Sequence, residues 1–164
     1  MSKILDTLWL GNAKNALDTS FISTNNITVV VNCTKDIPFI SSIPFKYRIP
    51  VNDDLQPQSF QEMYVAMCYI IPILAKHIDN GDNILIHCYA GMQRSAIVTL
   101  GLLTELTYKS VFKDVVPNDE SINQYCNNLT RYLSSCRSIV FTPEMNFKDS
   151  YLHWLNTYIT TLDI

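Results

Sequence analysis

Ile84-Leu85-Ile86-His87-Cys88-Tyr89-Ala90-Gly91-Met92-Gln93-Arg94-Ser95 is the stretch on which the reading of this chain turns. Three large aliphatic residues in a row suit a strand buried on both faces, central in a sheet. The run breaks at a cysteine, and a helix is expected to start at Ser95, with Ile97, Val98, Leu100 and Leu103 at helical spacing. A loop of five residues between Cys88 and Arg94 can wrap so that several backbone N–H groups point inward and make a nest for an anion. The helix that follows adds unpaired N–H groups and the positive end of its dipole at the same place. Gly91 permits a backbone conformation that other residues resist. Arg94 offers a planar pair of donors that matches two oxygens of a phosphate. Cys88 lies at the floor of this electropositive cup, where a thiol pKa falls from about 8.5 toward roughly 3.5–7.5. A thiolate behind a bound phosphoryl group is set up for covalent catalysis. A lone cysteine after an apolar strand is more often a small buried hydrophobe. The strand, the spacing to arginine and the helix together favour the chemical reading.

Outward from this stretch, the chain alternates strand and helix signals. Leu8-Trp9-Leu10 reads as a short strand closed by a turn at Gly11-Asn12, and residues 13–22 as a helix carrying Ala16, Leu17 and Phe21. Residues 28–32 and 45–50 read as two further buried strands. Residues 58–78 form a long helix with Phe60, Met63, Met67, Ile71 and Leu74 on one face. Pro72 is expected to kink or split it, and Asn80-Gly81 to stop it. Helices are also expected over about 120–135, marked by Ile122, Tyr125, Leu129, Tyr132 and Leu133, and over 147–162. The pattern predicts a single α/β domain over residues 1–164, a central mostly parallel sheet flanked by helices.

Composition bounds the rest. Hydrophobic residues make up 48% and charged residues 16%, which fits a packed core rather than disorder. A net charge of -3 argues against a nucleic-acid partner, since domains that grip phosphate backbones are usually basic. No apolar run approaches the roughly 20 residues that span a bilayer, so no membrane partner is expected. The five cysteines include no CxxC pair, and no secretory hydrophobic segment follows Met1, so reduced thiols in a cytoplasmic or nuclear setting are expected.

The string from His87 to Ser95 closely resembles the HCxxGxxRS signature of the dual-specificity protein phosphatases, within the cysteine-dependent tyrosine phosphatase superfamily. The resemblance extends over nearly the whole chain. Leu8-Trp9-Leu10-Gly11-Asn12 with Asn15-Ala16 is similar to the family's opening segment, and Val31-Asn32-Cys33-Thr34 to its "N-x-T" strand end. Ile49-Pro50-Val51-Asn52-Asp53 is similar to the "IPxxD" segment, and Arg137, Pro143 and Phe147 to a distal "R…P…F" pattern. Poxviral VH1-type members look most alike, which would place a viral chain in host cytoplasm or virion. The chain departs from the family in a longer stretch between Leu106 and Ser121 and in Pro72.

The resemblance implies the family's phosphatase fold and a two-step hydrolysis of phosphoprotein. Cys88 would be nucleophile, Arg94 the phosphate clamp, Asp53 general acid and base in preference to Asp54, and Ser95 the donor that helps Cys88 leave. His87, Tyr89, Ala90, Gly91, Met92 and Gln93 would complete the phosphate-binding loop, with Tyr89, Met92 and Gln93 at the rim. His87 would orient the loop and lower the thiol pKa, or be a satisfied core histidine. Arg137 would offer a secondary phosphate site, or form an exposed ion pair. Cys33 would be a redox partner of Cys88, or a simple buried thiol. The mechanism needs no metal or other cofactor, and a homodimer stays open. Phosphoinositide-directed relatives carry lysines in the loop, and RNA-directed ones read HCxHGxNRT; this loop has neither feature. Other readings are a catalytically weak phosphate-binding scaffold and a sulfurtransferase of the rhodanese type, which would lack the acid segment and the trailing Arg-Ser.

Overall fold

The computed structural model describes residues 1–162. Its sheet is organised by the two aliphatic runs, β3 (Ile27–Asn32) and β5 (Asn83–His87), which lie side by side and parallel with Val31 opposite Ile86. Around them, β1 (Ser2–Leu5), β2 (Leu8–Gly11) and β4 (Phe45–Arg48) complete the order β1-β2-β5-β3-β4. Among the described residues, only the β1–β2 pair is antiparallel. Both faces are covered, as a parallel sheet requires. Val29, Val31, Ile84 and Ile86 point into the larger core, and Val30 and Leu85 into a smaller one with Trp9 and Ile22. Each fully buried aliphatic side chain contributes roughly 1.5–3 kcal/mol.

The helices are α1 (Ala13–Ala16), α2 (Thr19–Thr24), α3 (Pro57–Asp79), α4 (Arg94–Val111), α5 (Asp119–Cys136) and α6 (Lys148–Leu162). The long helix presents Met63, Met67, Ile71 and Leu74 to the core and ends at Asn80, followed by Gly81 at φ 78. α4 runs from the loop through the centre of the helical layer, with both Ala96 and Leu103 buried. No helix among the described residues is long and apolar enough to cross a membrane.

The structure departs from the sequence reading in five places. The helix expected over 13–22 is two, because Asp18 accepts from the Phe21 amide and caps a new start, leaving Leu17 exposed. The strand at Phe45 is not buried: it is the edge of the sheet and mostly exposed. α3 continues unbroken through Pro72, which lies on its exposed side, where a carbonyl that loses its amide partner can turn to water. Ser2–Leu5 forms a strand that its own sequence does not announce. α4 also extends to Val111, so the expected long loop before α5 narrows to residues 112–118.

Candidate active site

β5 ends at His87, and the next six residues curl over the N-terminus of α4. Neighbours hold that curl through its backbone. The Ala13 amide donates to Tyr89 O at 3.0 Å and the Phe141 amide to Met92 O at 2.9 Å. Gly91 has φ 69, and a Cβ there would lie 2.6 Å from both Gly11 O and Arg137 Nη2, so space as well as conformation demands glycine. No side chain caps α4 and no acidic residue enters its first turn, which leaves the positive helix end open to the loop.

Cys88 is buried, and its sulfur accepts from the Ser95 hydroxyl at 3.0 Å and the Gly91 amide at 3.2 Å. Burial opposes ionisation, but the Ser95 hydroxyl and amide, the Arg94 charge and the Gly91 amide together outweigh it. The thiol therefore lies below its ordinary range. Arg94 donates from Nη1 to Val51 O at 3.1 Å, while its Nε is buried with no hydrogen-bond partner among the described residues. A buried charged donor without a partner is costly, and an oxyanion in the loop would satisfy it.

Asp53 joins Cys88, Tyr89, Met92 and Arg94 around a pocket of about 350 Å³. Its carboxylate is exposed and is approached by Asn146 Nδ2 at 3.5 Å. Asp54 does not line the pocket. It accepts from the Gln56 amide at 3.1 Å ahead of α3, and a bond from Ser59, then that amide, holds its carboxyl low.

The structure adds contacts at three expected positions. Gln93 lines the pocket as expected, but from a buried position: its amide nitrogen donates to Thr142 O and Glu144 O, and its oxygen accepts from the Asn146 amide at 3.0 Å. It straps the 142–146 segment to the loop. Arg137, expected as a secondary phosphate site or an exposed ion pair, makes no ion pair among the described residues. It donates to Gly91 O at 2.9 Å, Ala90 O at 3.2 Å and Ser2 Oγ at 3.2 Å, bracing the loop from behind. Burial above all pulls the His87 imidazole down to about 4, and its Nδ1 lies 3.3 Å from the Cys88 carbonyl, which argues against a charge on His87 lowering the thiol pKa. Tyr89 does stand at the rim, 69% exposed. Cys33 is a buried thiol whose pKa burial raises well above its ordinary value. All five cysteines are free, and no cluster of metal-ligating residues occurs among the described residues. Asn146 and the strap from Gln93 escaped the sequence reading, since their partners lie 49 to 93 residues away.

The family profile described as "Dual specificity phosphatase, catalytic domain" matches residues 8–157. Mouse dual specificity protein phosphatase 8 is 30% identical over 156 residues, 85% of this chain and 21% of that protein. The chain thus spans about a fifth of that relative, and 41% of mouse dual specificity protein phosphatase 6. Among solved structures, a mouse dual specificity phosphatase complexed with zinc tungstate superposes with TM-score 0.74 at 18% identity, covering 98% of this chain and 89% of its own. The Orf virus tyrosine phosphatase OH1, described as having triple substrate specificity, superposes with TM-score 0.68 at 19% identity over 96% of this chain and 85% of its own. At such identities the likeness is one of fold.

Proposed function

The chain belongs to the dual-specificity phosphatase family, and from that premise we propose that it hydrolyses phosphoprotein monoesters through a phosphocysteine. The Cys88 thiolate attacks phosphorus, and the bond from phosphorus to the ester oxygen breaks. Asp53 in its acid form gives that oxygen a proton, so the protein alcohol leaves neutral. Arg94 and the loop amides hold the three equatorial oxygens as charge redistributes. Asp53, now a carboxylate, takes a proton from water as the water attacks phosphorus. The P–S bond breaks, the sulfur leaves as thiolate with Ser95 donating to it, and inorganic phosphate is released.

The observation that carries this reading is the convergence of two donors on Cys88 sulfur, at 3.0 and 3.2 Å, in a pocket that Arg94 also lines. A pocket of about 350 Å³ with an exposed acid at its edge would take the phosphate, and membership of the family supports phosphoserine and phosphothreonine as well as phosphotyrosine as substrates. Five free thiols favour a reducing compartment, the cytoplasm or nucleus.

The test is hydrolysis of an aryl phosphate with EDTA present. Wild-type turnover should survive chelation and fall by more than about 10³-fold in Cys88→Ser, as loss of a nucleophile does. A well-folded wild type without turnover would refute the catalytic assignment. Hydrolysis of phosphoinositides as fast as phosphopeptides would refute the substrate class.

A further inference from the structure

A larger cavity lies outside the catalytic pocket. It is a groove of about 940 Å³ between β4, with its continuation to Val51, and the outer face of α3. Its floor is apolar, with Ile49, Val51 and Ile70 buried beneath it. One wall is Tyr47, whose hydroxyl lies 2.8 Å from His77 Nε2, while His77 Nδ1 lies 2.6 Å from the Asp82 carboxylate. That relay fixes the ring in advance, so little ordering is left for a ligand to impose. The opposite wall carries Val65 and Tyr69, 55% and 69% exposed. Large apolar side chains exposed together mark a contact surface.

The rim is basic. Lys35, Lys46 and Arg48 line the groove against one carboxylate, Glu62. Lys46 reaches the Ser41 carbonyl at 3.0 Å and Arg48 the carbonyls of Thr34 and Ile37, so both keep their charge unneutralised by a carboxylate among the described residues. The groove is tied to the active site through the backbone: the Val51 carbonyl on its floor accepts from Arg94, and Asp53, two residues further on, lines the catalytic pocket.

We propose that the groove receives the segment of the phosphoprotein that flanks the phosphorylated residue, and that it selects a flank that is acidic and bears a large apolar side chain. The apolar group lies between Tyr47 and Tyr69, and the acids face Lys35 and Lys46. This rests on the phosphoprotein reading above and adds the sequence preference which that reading leaves undefined.

Two phosphotyrosine peptides test it, one with an acidic flank containing leucine or phenylalanine and one with a Gly-Ser flank, alongside an aryl phosphate too small to reach the groove. The wild type should prefer the acidic-apolar peptide by about tenfold in kcat/KM, and Tyr69→Ala should remove most of that preference. Lys46→Glu should cost about fivefold on the same peptide, a loss that shrinks with added salt. Rates on the Gly-Ser peptide and the aryl phosphate should not change. Equal rates on both peptides in the wild type, or equal losses on the aryl phosphate, overturn the proposal. So does a finding that the variants break a homodimer in sedimentation velocity while peptide rates stay the same. If the wild type does not turn over aryl phosphate, the catalytic reading has failed separately. Equilibrium binding of the two peptides to Cys88→Ser then decides the groove, with a preference for the acidic-apolar flank supporting it and equal affinity refuting it.

Discussion

Cys88 and Asp53 face one pocket, yet the segments that carry them are held in opposite ways. Around Cys88, the loop is tied through Tyr89, Ala90, Gly91, Met92 and Gln93 to residues 13, 137, 141, 142, 144 and 146. Its one left-handed position is a glycine, which adopts it without strain. Residues 52–56 are exposed throughout, and the bond to Asp53 is 3.5 Å long. The left-handed residue of that segment is Leu55, at φ 58 and 55% exposed, a conformation that costs a branched side chain roughly 1–2 kcal/mol. On the proposed mechanism, the difference follows from the two tasks. A nucleophile needs a fixed line of attack and a fixed electrostatic surrounding. An acid that serves leaving groups of different shape needs reach, and a loosely held segment supplies it.

The largest effect that could break this comparison is at Asp53. Asp53→Asn should lower kcat by about 10²–10³-fold, and least on an aryl phosphate with a good leaving group, which needs little protonation. Asp54→Asn should stay within about threefold, because its carboxylate serves the start of α3. Comparable losses in steady-state assays of the two variants would move the acid. Next is Ser95→Ala. Turnover should drop about tenfold as leaving thiolate loses a donor. The acidic limb of kcat/KM should also move to higher pH. The thiolate is the reactive form and its pKa lies below the ordinary value, so activity falls as pH drops through that pKa; removing a stabilising donor raises it. A limb that does not move would show that Ser95 does not set the thiol pKa.

Asn146→Ala sharpens the contrast further. A bond of 3.5 Å to an exposed carboxylate should be worth no more than about threefold in kcat. A loss approaching that of Asp53→Asn would mean that the acid segment is held as firmly as the loop. The smallest expected effect on turnover is at His87, where the readout is stability. Its folded pKa of about 4 lies below the ordinary 6.5, so the unfolded chain takes a proton first. Stability present in full above 6.5 should fall as pH drops toward 4, and His87→Gln should flatten that slope in urea titrations. An unchanged slope would mean that other groups govern acid unfolding.

What could be read in the sequence was local. The strand, loop and helix from Ile84 onward obey short-range rules of period, glycine conformation and helix polarity, and α4 begins one residue before the expected Ser95. Features set by distant pairing were not legible. Ser2–Leu5 is a strand because Leu8–Gly11 lies antiparallel to it, not because of its own pattern. Arg137 could be matched to a family position, but its engagement with Gly91 and Ala90 carbonyls depends on how α5 ends beside the loop. Gln93 reads as rim from its place beside Met92, and it does line the pocket, but from a buried position. Its burial comes from a segment about fifty residues further on. The break at Asp18 lay within reach of sequence reasoning, since aspartate is a favoured cap, but the apolar spacing of Ala16, Leu17 and Phe21 competed with it.

The close approach of Gly91 to the Gly11 carbonyl, with Arg137 reaching in from the end of α5, means that three parts of the chain far apart in sequence must meet before an anion cradle exists. An oxyanion such as phosphate that binds there would therefore be a ligand of the whole folded state. Mass action would make it raise the melting temperature with concentration, about 2.7 kcal/mol of added stability at a hundredfold excess over Kd. Melting curves in the presence of such an ion measure the integrity of β2, the loop and α5 in one number, and any variant that loosens one of the three will show it as lost protection.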